Sequence, residues 1–354
     1  MTRPRALSLA LVLSVGVLLA ACTKGPAYGS ANAIIAVVDS ALMGELEPVL
    51  AEALEREVYT TREEPVFEVT FTTPESIGEF QKWRRLIVVE PLGDATLVPE
   101  LSDLPDDGPL VTEVEDEWAR DQTIWILAGQ TPESTVELVR QRADSLYEVL
   151  HERYVQHQAA RMWASERDSA LYRSLVDSLG FGIVLPNVYR PASGSAPEDS
   201  RVWFNRDPRR IVSIHWTDRP AEISADAVLE IRRSWGREVF PEDSIVSPSP
   251  DASDDPDAAE ASAGGDTLAT APPVETPDPV QASRTTLGGQ PAVRLQGVWS
   301  GTAGANAGIF LTYGVACGDR LVMLDGNLFA PDREKYPYLI QLERIFSTFH
   351  CERS

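Results

Sequence analysis

The chain has 354 residues, 43% hydrophobic and 24% charged, with 54 acidic against 31 basic side chains and a net charge of −23. That surplus argues against nucleic acid or anionic lipid as the main partner, because neither phosphate neutralisation nor a basic stripe is on offer. It favours solubility and leaves the fold open, and the length makes two domains the natural expectation.

Arg3 and Arg5 precede an almost unbroken apolar run from Leu7 to Ala21, which ends on small residues and Cys22. Charged, apolar and small-residue regions in that order make a secretory signal peptide over residues 1–21. The run is shorter than the roughly 20 residues that cross a bilayer. Leu19-Ala20-Ala21-Cys22 resembles the bacterial lipobox. That resemblance implies diacylglycerol on the Cys22 thiol, cleavage between Ala21 and Cys22, and acylation, for instance by palmitate, of the new N-terminus. Each buried CH₂ contributes about 0.8 kcal/mol, so two or more chains hold a protein stably on a membrane. The alternative is a secreted protein cut by the general signal peptidase. In the sorting rule attached to this motif an Asp after the cysteine retains the protein in the inner membrane; Thr23 stands there and favours the outer membrane. Loss of Arg3 and Arg5 with the signal peptide takes the net charge to −25.

Residues 22–31 then read as the lipidated cysteine and a polar tether. The first domain, 32–179, opens with the apolar strand AIIAVV from Ala33 and the junction Asp39-Ser40, followed by a helical pattern through Leu42, Leu46, Leu50 and Leu54. PVFEVTFTT (from Pro65) and RLIVVEP (from Arg85) read as strands, on either side of a helix opened by Pro74. A Pro/Asp/Gly-rich loop covers 92–110, and QTIWILAG from Gln122 is a strand ended by glycine. A long amphipathic helix starts at Thr131-Pro132, and a second, from Ser165 to Leu179, stops at Gly180.

The second domain, 180–354, begins with FGIVLPNVYRPA and continues with strands RVWFNRD and RIVSIHWTD. Ser224 caps a helix reaching about Val239. Residues 242–282, rich in Pro, Ala, Ser and Asp, bury too little apolar surface to offset chain entropy and read as disordered. Strands PAVRLQGVWSG, GIFLTYGVAC and RLVMLDGNLFAP and a helix from Lys335 to Phe349 close the chain. The expected class is α+β: two mixed α/β sandwich domains with antiparallel-rich sheets and long helices.

With Cys22 taken by lipid, Cys317 and Cys351 form an even pair in an oxidising compartment. A bridge would staple the last helix to the sheet; two buried thiols or a metal pair are the alternatives. Two cysteines without clustered histidines make a poor zinc site.

Taken in order, IIAVVDSAL, EPVFEVTF, RRLIVVE, the long helix, GFGIVLPNVYR, VWFNR, RLQGVWSG, LDGNLFAP and YLIQLERIFSTF resemble a bacterial lipoprotein family labelled domain of unknown function 4837. The resemblance spans nearly the whole mature chain, with 242–282 and the acidic loop 100–117 standing outside its pattern. It implies no catalytic residues. Phe181 to Tyr189 and Leu342 to Phe349 also resemble the opening strand and closing helix of the PsbP-like α/β/α sandwich, a likeness of architecture.

No catalytic motif survives its spacing. His151 and His157 stand six apart, where two ligands on one helix face need four. Asp39-Ser40 reads as a helix N-cap. Residues 297–310 are glycine-rich but hold neither a P-loop Lys-Ser/Thr pair nor G-x-S-x-G around Ser300, and read as a hairpin loop. In 251–262 proline and Ser262 stand where a calcium loop needs glycine and glutamate. Trp203, His215, Trp216 and Trp299 are candidates for a ligand cleft, with core packing the commoner fate of such residues. The expectation is a lipid-attached envelope protein in a non-enzymatic binding or accessory role, in contact with membrane through its N-terminal lipid, without cofactor, metal or nucleic acid. An envelope hydrolase with a site assembled from distant residues, and a structural subunit of an outer-membrane complex, are the alternatives.

Overall fold

The computed structural model describes residues 24–105, 107–192, 195, 197–206, 209–239, 243–245, 280–301 and 307–352. The signal peptide, Ala21, Cys22 and residues 246–279 of the acidic tract lie outside the described residues. The chain divides into two compact units, residues 1–56 with 65–154 and residues 57–64 with 155–354. The division falls inside the long helix rather than at the expected 179/180 boundary, and a hairpin from the first third of the sequence joins the second unit.

In the first unit, strand β1 (Ala33–Val38) leads into helix α1 (Met43–Leu54). The hairpin β2 (Glu57–Tyr59) and β3 (Glu63–Pro65) intervenes. Then come β4 (Glu68–Thr72), a 3-10 turn at Pro74–Glu79, β5 (Arg85–Val89), a single helical turn Val98–Leu101, β6 (Leu110–Glu115), β7 (Thr123–Ala128) and helix α2 (Pro132–Trp163). The sheet order is β4-β1-β5-β7-β6. β1 pairs parallel with β4 and β5, and β5 with β7; only β6 runs antiparallel. The mixed α/β class is as expected, but this sheet is mainly parallel.

The unbroken apolar runs explain that arrangement. All six residues of β1 and all five of β5 are buried, as in parallel strands covered on both faces. Ile35, Val37, Leu86, Val88, Ile124 and Ile126 pack beneath Leu97, Val98 and Leu101 on one face. Ile34, Ala36, Ile87, Val89 and Leu127 alternate with them along the strands and are equally buried. Phe67, beside the sheet, packs edge-on against Tyr147 and Tyr154 of α2.

The second unit adds α3 (Ser169–Leu179), β8 (Phe181–Gly182), β9 (Arg190–Pro191), β10 (Arg201–Arg206), β11 (Arg210–Asp218) and α4 (Ala225–Val239). It continues through β12 (Asp243–Ile245), β13 (Val280–Leu287), β14 (Gln290–Gly301), β15 (Ala307–Cys317), β16 (Arg320–Leu328), α5 (Tyr336–Phe346) and β17 (His350–Cys351). Its eight-stranded sheet, β12-β14-β15-β16-β11-β10-β9 with β13 also on β14, is antiparallel throughout. α3 and α5 cover one face through Leu175, Leu339, Leu342 and Phe346. α4 covers the other through Val228 on Val293, Leu295, Phe310 and Met323. Gly314 permits that seat: a Cβ there would stand 2.6 Å from the Val228 side chain.

The expected stop at Gly180 and cap at Ser224 hold, whereas α3 begins at Ser169 rather than Ser165 and α5 ends at Phe346 rather than Phe349. α3 ends at Gly180 in the left-handed region, and Asp168 accepts from Leu171 N at 2.9 Å. Ser224 accepts from Ala227 N at 3.2 Å. The tract read as disordered from 242 to 282 contains strand at both ends: Ile245 pairs with Trp299 and Val280 with Gly297, along one edge of β14. Cys317 and Cys351 form a disulfide with Cα atoms 5.8 Å apart, tying β15 to the small β17-β8 sheet just past α5.

Candidate functional site

Residues 24–31 do not form the free tether expected of them. Pro26 bridges to Arg120 and Tyr28 to Trp83, both in parallel sense. Ala27 N donates to Arg120 O at 2.7 Å, Arg120 N to Gly25 O at 2.8 Å, Tyr28 N to Lys82 O at 3.1 Å, and Arg84 N to Tyr28 O at 2.9 Å. Lys24 Nζ donates to Asp116 O at 2.7 Å. The segment therefore lies as an extra extended strip across the loops that precede β5 and β7.

Two residues make the strip rigid. Gly29 has φ +94°, and a Cβ there would fall 2.6 Å from the Trp83 ring, so both the backbone and the indole demand glycine. Gln122 is buried, and its Nε2 donates to Gln81 O at 2.7 Å and Trp83 O at 2.8 Å while its Oε1 accepts from Trp118 N at 2.9 Å. Asp116 and Asp121, both at positive φ, turn the intervening loop. Tyr28 meets Trp83 edge-on at 6.2 Å, and Trp83 meets Phe80 at 5.7 Å. Tyr28 is half exposed, at 50%. Beneath the strip, Arg85 donates to Ala31 O; burial, with Arg84 alongside, pulls its guanidinium down to about 10. Sequence reading missed this platform. Its one local signal was an aromatic set between proline and glycine in Pro26-Ala27-Tyr28-Gly29.

The opposite, carboxyl ends of β1 and β7 border a shallow cleft of about 370 Å³ lined by Leu42, Glu45, Pro132, Glu133, Val136 and Arg140, among others. Arg140 pairs with Glu45 at 2.7 Å across it. Asp39 does not cap α1; its Oδ1 accepts from Ala41 N at 2.8 Å and closes the preceding turn, and Leu42 takes the N-cap position. His151 stacks on Tyr147 at 5.5 Å, and burial lowers its pKa.

The four candidate cleft residues do not converge. Trp203 and His215 lie on the α4 face of the second sheet, where Trp235 meets them at 6.4 and 5.8 Å. Trp216 packs on Phe181 at 5.5 Å, in the cluster on the other face. Trp299 donates from Nε1 to Ile309 O at 3.2 Å and sits beside Phe329. Burial lowers the His215 pKa, partly offset by the Ser200 backbone and Glu238. Next to these residues is a polar set that sequence reading did not single out. Arg232 pairs with Asp325 at 2.7 Å, and reaches Thr312 Oγ1 at 3.0 Å and Asn327 Oδ1 at 3.2 Å. Its guanidinium lies 3.7 Å over the Phe310 ring. Arg232 and Asp325 satisfy one another inside the sandwich and hold α4 to the sheet.

Ser300, the serine of the glycine-rich stretch, is a β14 residue opposite Ala307. Among the described residues no group of three His, Cys, Asp or Glu side chains could hold a metal, and no helix is long and apolar enough to cross a membrane.

Residues 27–163 match a domain of unknown function, DUF8532, and residues 258–348 match another, DUF4837. The DUF4837 likeness expected along nearly the whole mature chain is thus found in the C-terminal part, and it begins inside the acidic tract rather than after it. No curated protein matches the chain. The solved structures it is similar to include the cyanobacterial PsbP (CyanoP) of Synechocystis sp. PCC 6803, with 12% identity and a TM-score of 0.30 over 49% of this chain and 86% of that one. The Ran-binding protein Mog1p of Saccharomyces cerevisiae shares 12% identity, with a TM-score of 0.27 over 49% of this chain and 91% of its own. A Bacteroides thetaiotaomicron protein shares 7%, with a TM-score of 0.27 over 49% of this chain and 46% of its own. The chain carries a DUF8532 match in its N-terminal part and a DUF4837 match in its C-terminal part, both domains of unknown function.

Proposed function

We propose that this chain is a lipoprotein of the bacterial cell envelope, held on the outer membrane by acyl chains on Cys22 and acting there as a binding or accessory protein rather than an enzyme. The observation that carries the reading is Leu19-Ala20-Ala21-Cys22 at the end of a charged-then-apolar leader. The non-enzymatic part is supported by the structural work given to the residues chemistry would need. Asp39 closes a turn, His151 stacks on a tyrosine, and Arg232 and Asp325 neutralise one another.

Intact mass spectrometry of the membrane-extracted protein, beside a Cys22→Ser variant, tests the reading. A chain starting at Cys22 and carrying a diacylglyceryl group plus an acyl chain is the expected result, with the variant unlipidated. An unmodified mass starting elsewhere would sink it and move attention to soluble ligands.

A further inference from the structure

We infer that the platform made by residues 24–30 with the loops 81–84 and 116–121 lies directly against the lipid surface that receives Cys22. The inference rests on the lipoprotein reading and adds which face of the first unit meets the membrane.

Chain length carries the argument. Only Thr23 separates Cys22 from Lys24, and two residue steps span at most about 7 Å. From Gly25 onward the backbone is bonded to Arg120, Lys82 and Arg84, so the strip cannot pay out more slack without breaking those bonds. An acylated Cys22 therefore brings the platform to headgroup depth whatever the attraction between them.

The surface chemistry suits that position. Tyr28 presents a half-exposed ring braced on Trp83, an apolar body with a polar tip of the kind that settles at a membrane–water interface. In a chain whose net charge without residues 1–21 is −25, the platform segments carry Lys24, Lys82, Arg84 and Arg120 against Asp116, Glu117 and Asp121. This face thus escapes the acidity of the rest and approaches anionic headgroups without the repulsion the average surface would meet.

The test uses the full-length lipidated protein in phosphatidylethanolamine–phosphatidylglycerol vesicles containing headgroup-spin-labelled lipid. Cys22 is alkylated and Cys317 is bridged to Cys351, so a Ser30→Cys or Glu133→Cys variant offers one thiol for a fluorophore. Glu133 follows the far end of β7, a six-residue strand about 20 Å long, away from the platform. Intact mass on the same samples reports lipidation. Loss of most of the emission at position 30, with position 133 unaffected, is expected. Equal responses at both positions on a chain whose mass shows the acylated cysteine would overturn the apposition and leave the anchor standing. A chain without the acyl mass would overturn the anchor, and the apposition with it.

Discussion

Glu90 in the first unit and Glu64 in the second are each about 1% exposed, and each accepts hydrogen bonds from the start of a helical segment. Glu90 takes Thr96 N and Oγ1, Leu97 N and Val98 N, six to eight residues along the chain. Glu64 takes Lys335 N at 2.7 Å and Tyr336 N at 3.1 Å, 271 and 272 residues away, and faces the Lys335 ammonium at 3.6 Å. The same device, a carboxylate against the positive end of a helix, closes a local turn in the first unit and a contact across 271 residues in the second. Arg232–Asp325 and Cys317–Cys351 add to the second pattern. The second unit should accordingly depend on a few long-range links, the first on apolar packing.

The largest effect expected from breaking such a link is at Asp325. Asp325→Ala leaves Arg232 buried without its carboxylate, and removing one partner of a buried pair costs about 3–5 kcal/mol. Replacing both at once, Arg232→Met with Asp325→Leu, should recover much of that loss. Denaturant midpoints of the wild type, Arg232→Met, Asp325→Leu and the double variant measure the coupling, and additive losses would show that the pair does not act as a unit.

Reduction comes next. The bridge spans 34 residues, and closing a loop of that size stabilises by about 3–4 kcal/mol in the chain-entropy model. No cysteine lies between residues 23 and 316. Hydrogen exchange followed by peptide mass spectrometry should therefore show reductant loosening the second unit while β1, β5 and β7 keep their protection. Equal loosening of both units would break the comparison.

Glu90→Gln is smaller. It leaves one of the buried donors at residues 96–98 unsatisfied, at about 1–3 kcal/mol. Faster exchange should be confined to the Val98–Leu101 turn and its surroundings. Glu64→Gln, by contrast, should expose α5 and the β2–β3 hairpin together, because both are tied through that carboxylate.

That contrast also explains which features could be read from sequence. Local signals were legible: the apolar runs at Ala33 and Arg85, the helix opened at Thr131-Pro132, the stop at Gly180 and the cap at Ser224. The parallel order of the first sheet was less so: the unbroken runs at Ala33 and Arg85 suit strands covered on both faces, but a strand in the core of a sandwich gives the same run. The placement of Glu64 at the head of α5 was not legible, because a contact across 271 residues leaves no periodic trace. The bound strip at 24–31 was hidden for a similar reason. A segment of Gly, Pro, Ser and Ala looks like linker unless the residues that receive it, Lys82, Arg84 and Arg120, are known.

The smallest effect separates the units by pH. Each has a histidine whose pKa burial lowers, His151 in the first and His215 in the second. Both stay neutral in the folded chain under conditions where the unfolded chain, with imidazole near its ordinary 6.5, binds a proton. The unfolded state then holds more protons, so stability rises with pH through that window and is lost as pH falls below about 6.5. Exchange measured at pH 7.5 and 5.5, after correction for intrinsic rates, should show His151→Gln flattening the acid sensitivity of the first unit alone and His215→Gln that of the second. If either substitution left its own unit as acid-sensitive as before, the carboxylates rather than the imidazole would govern that response. Glu113, whose pKa burial raises, would be the next group to replace in the first unit.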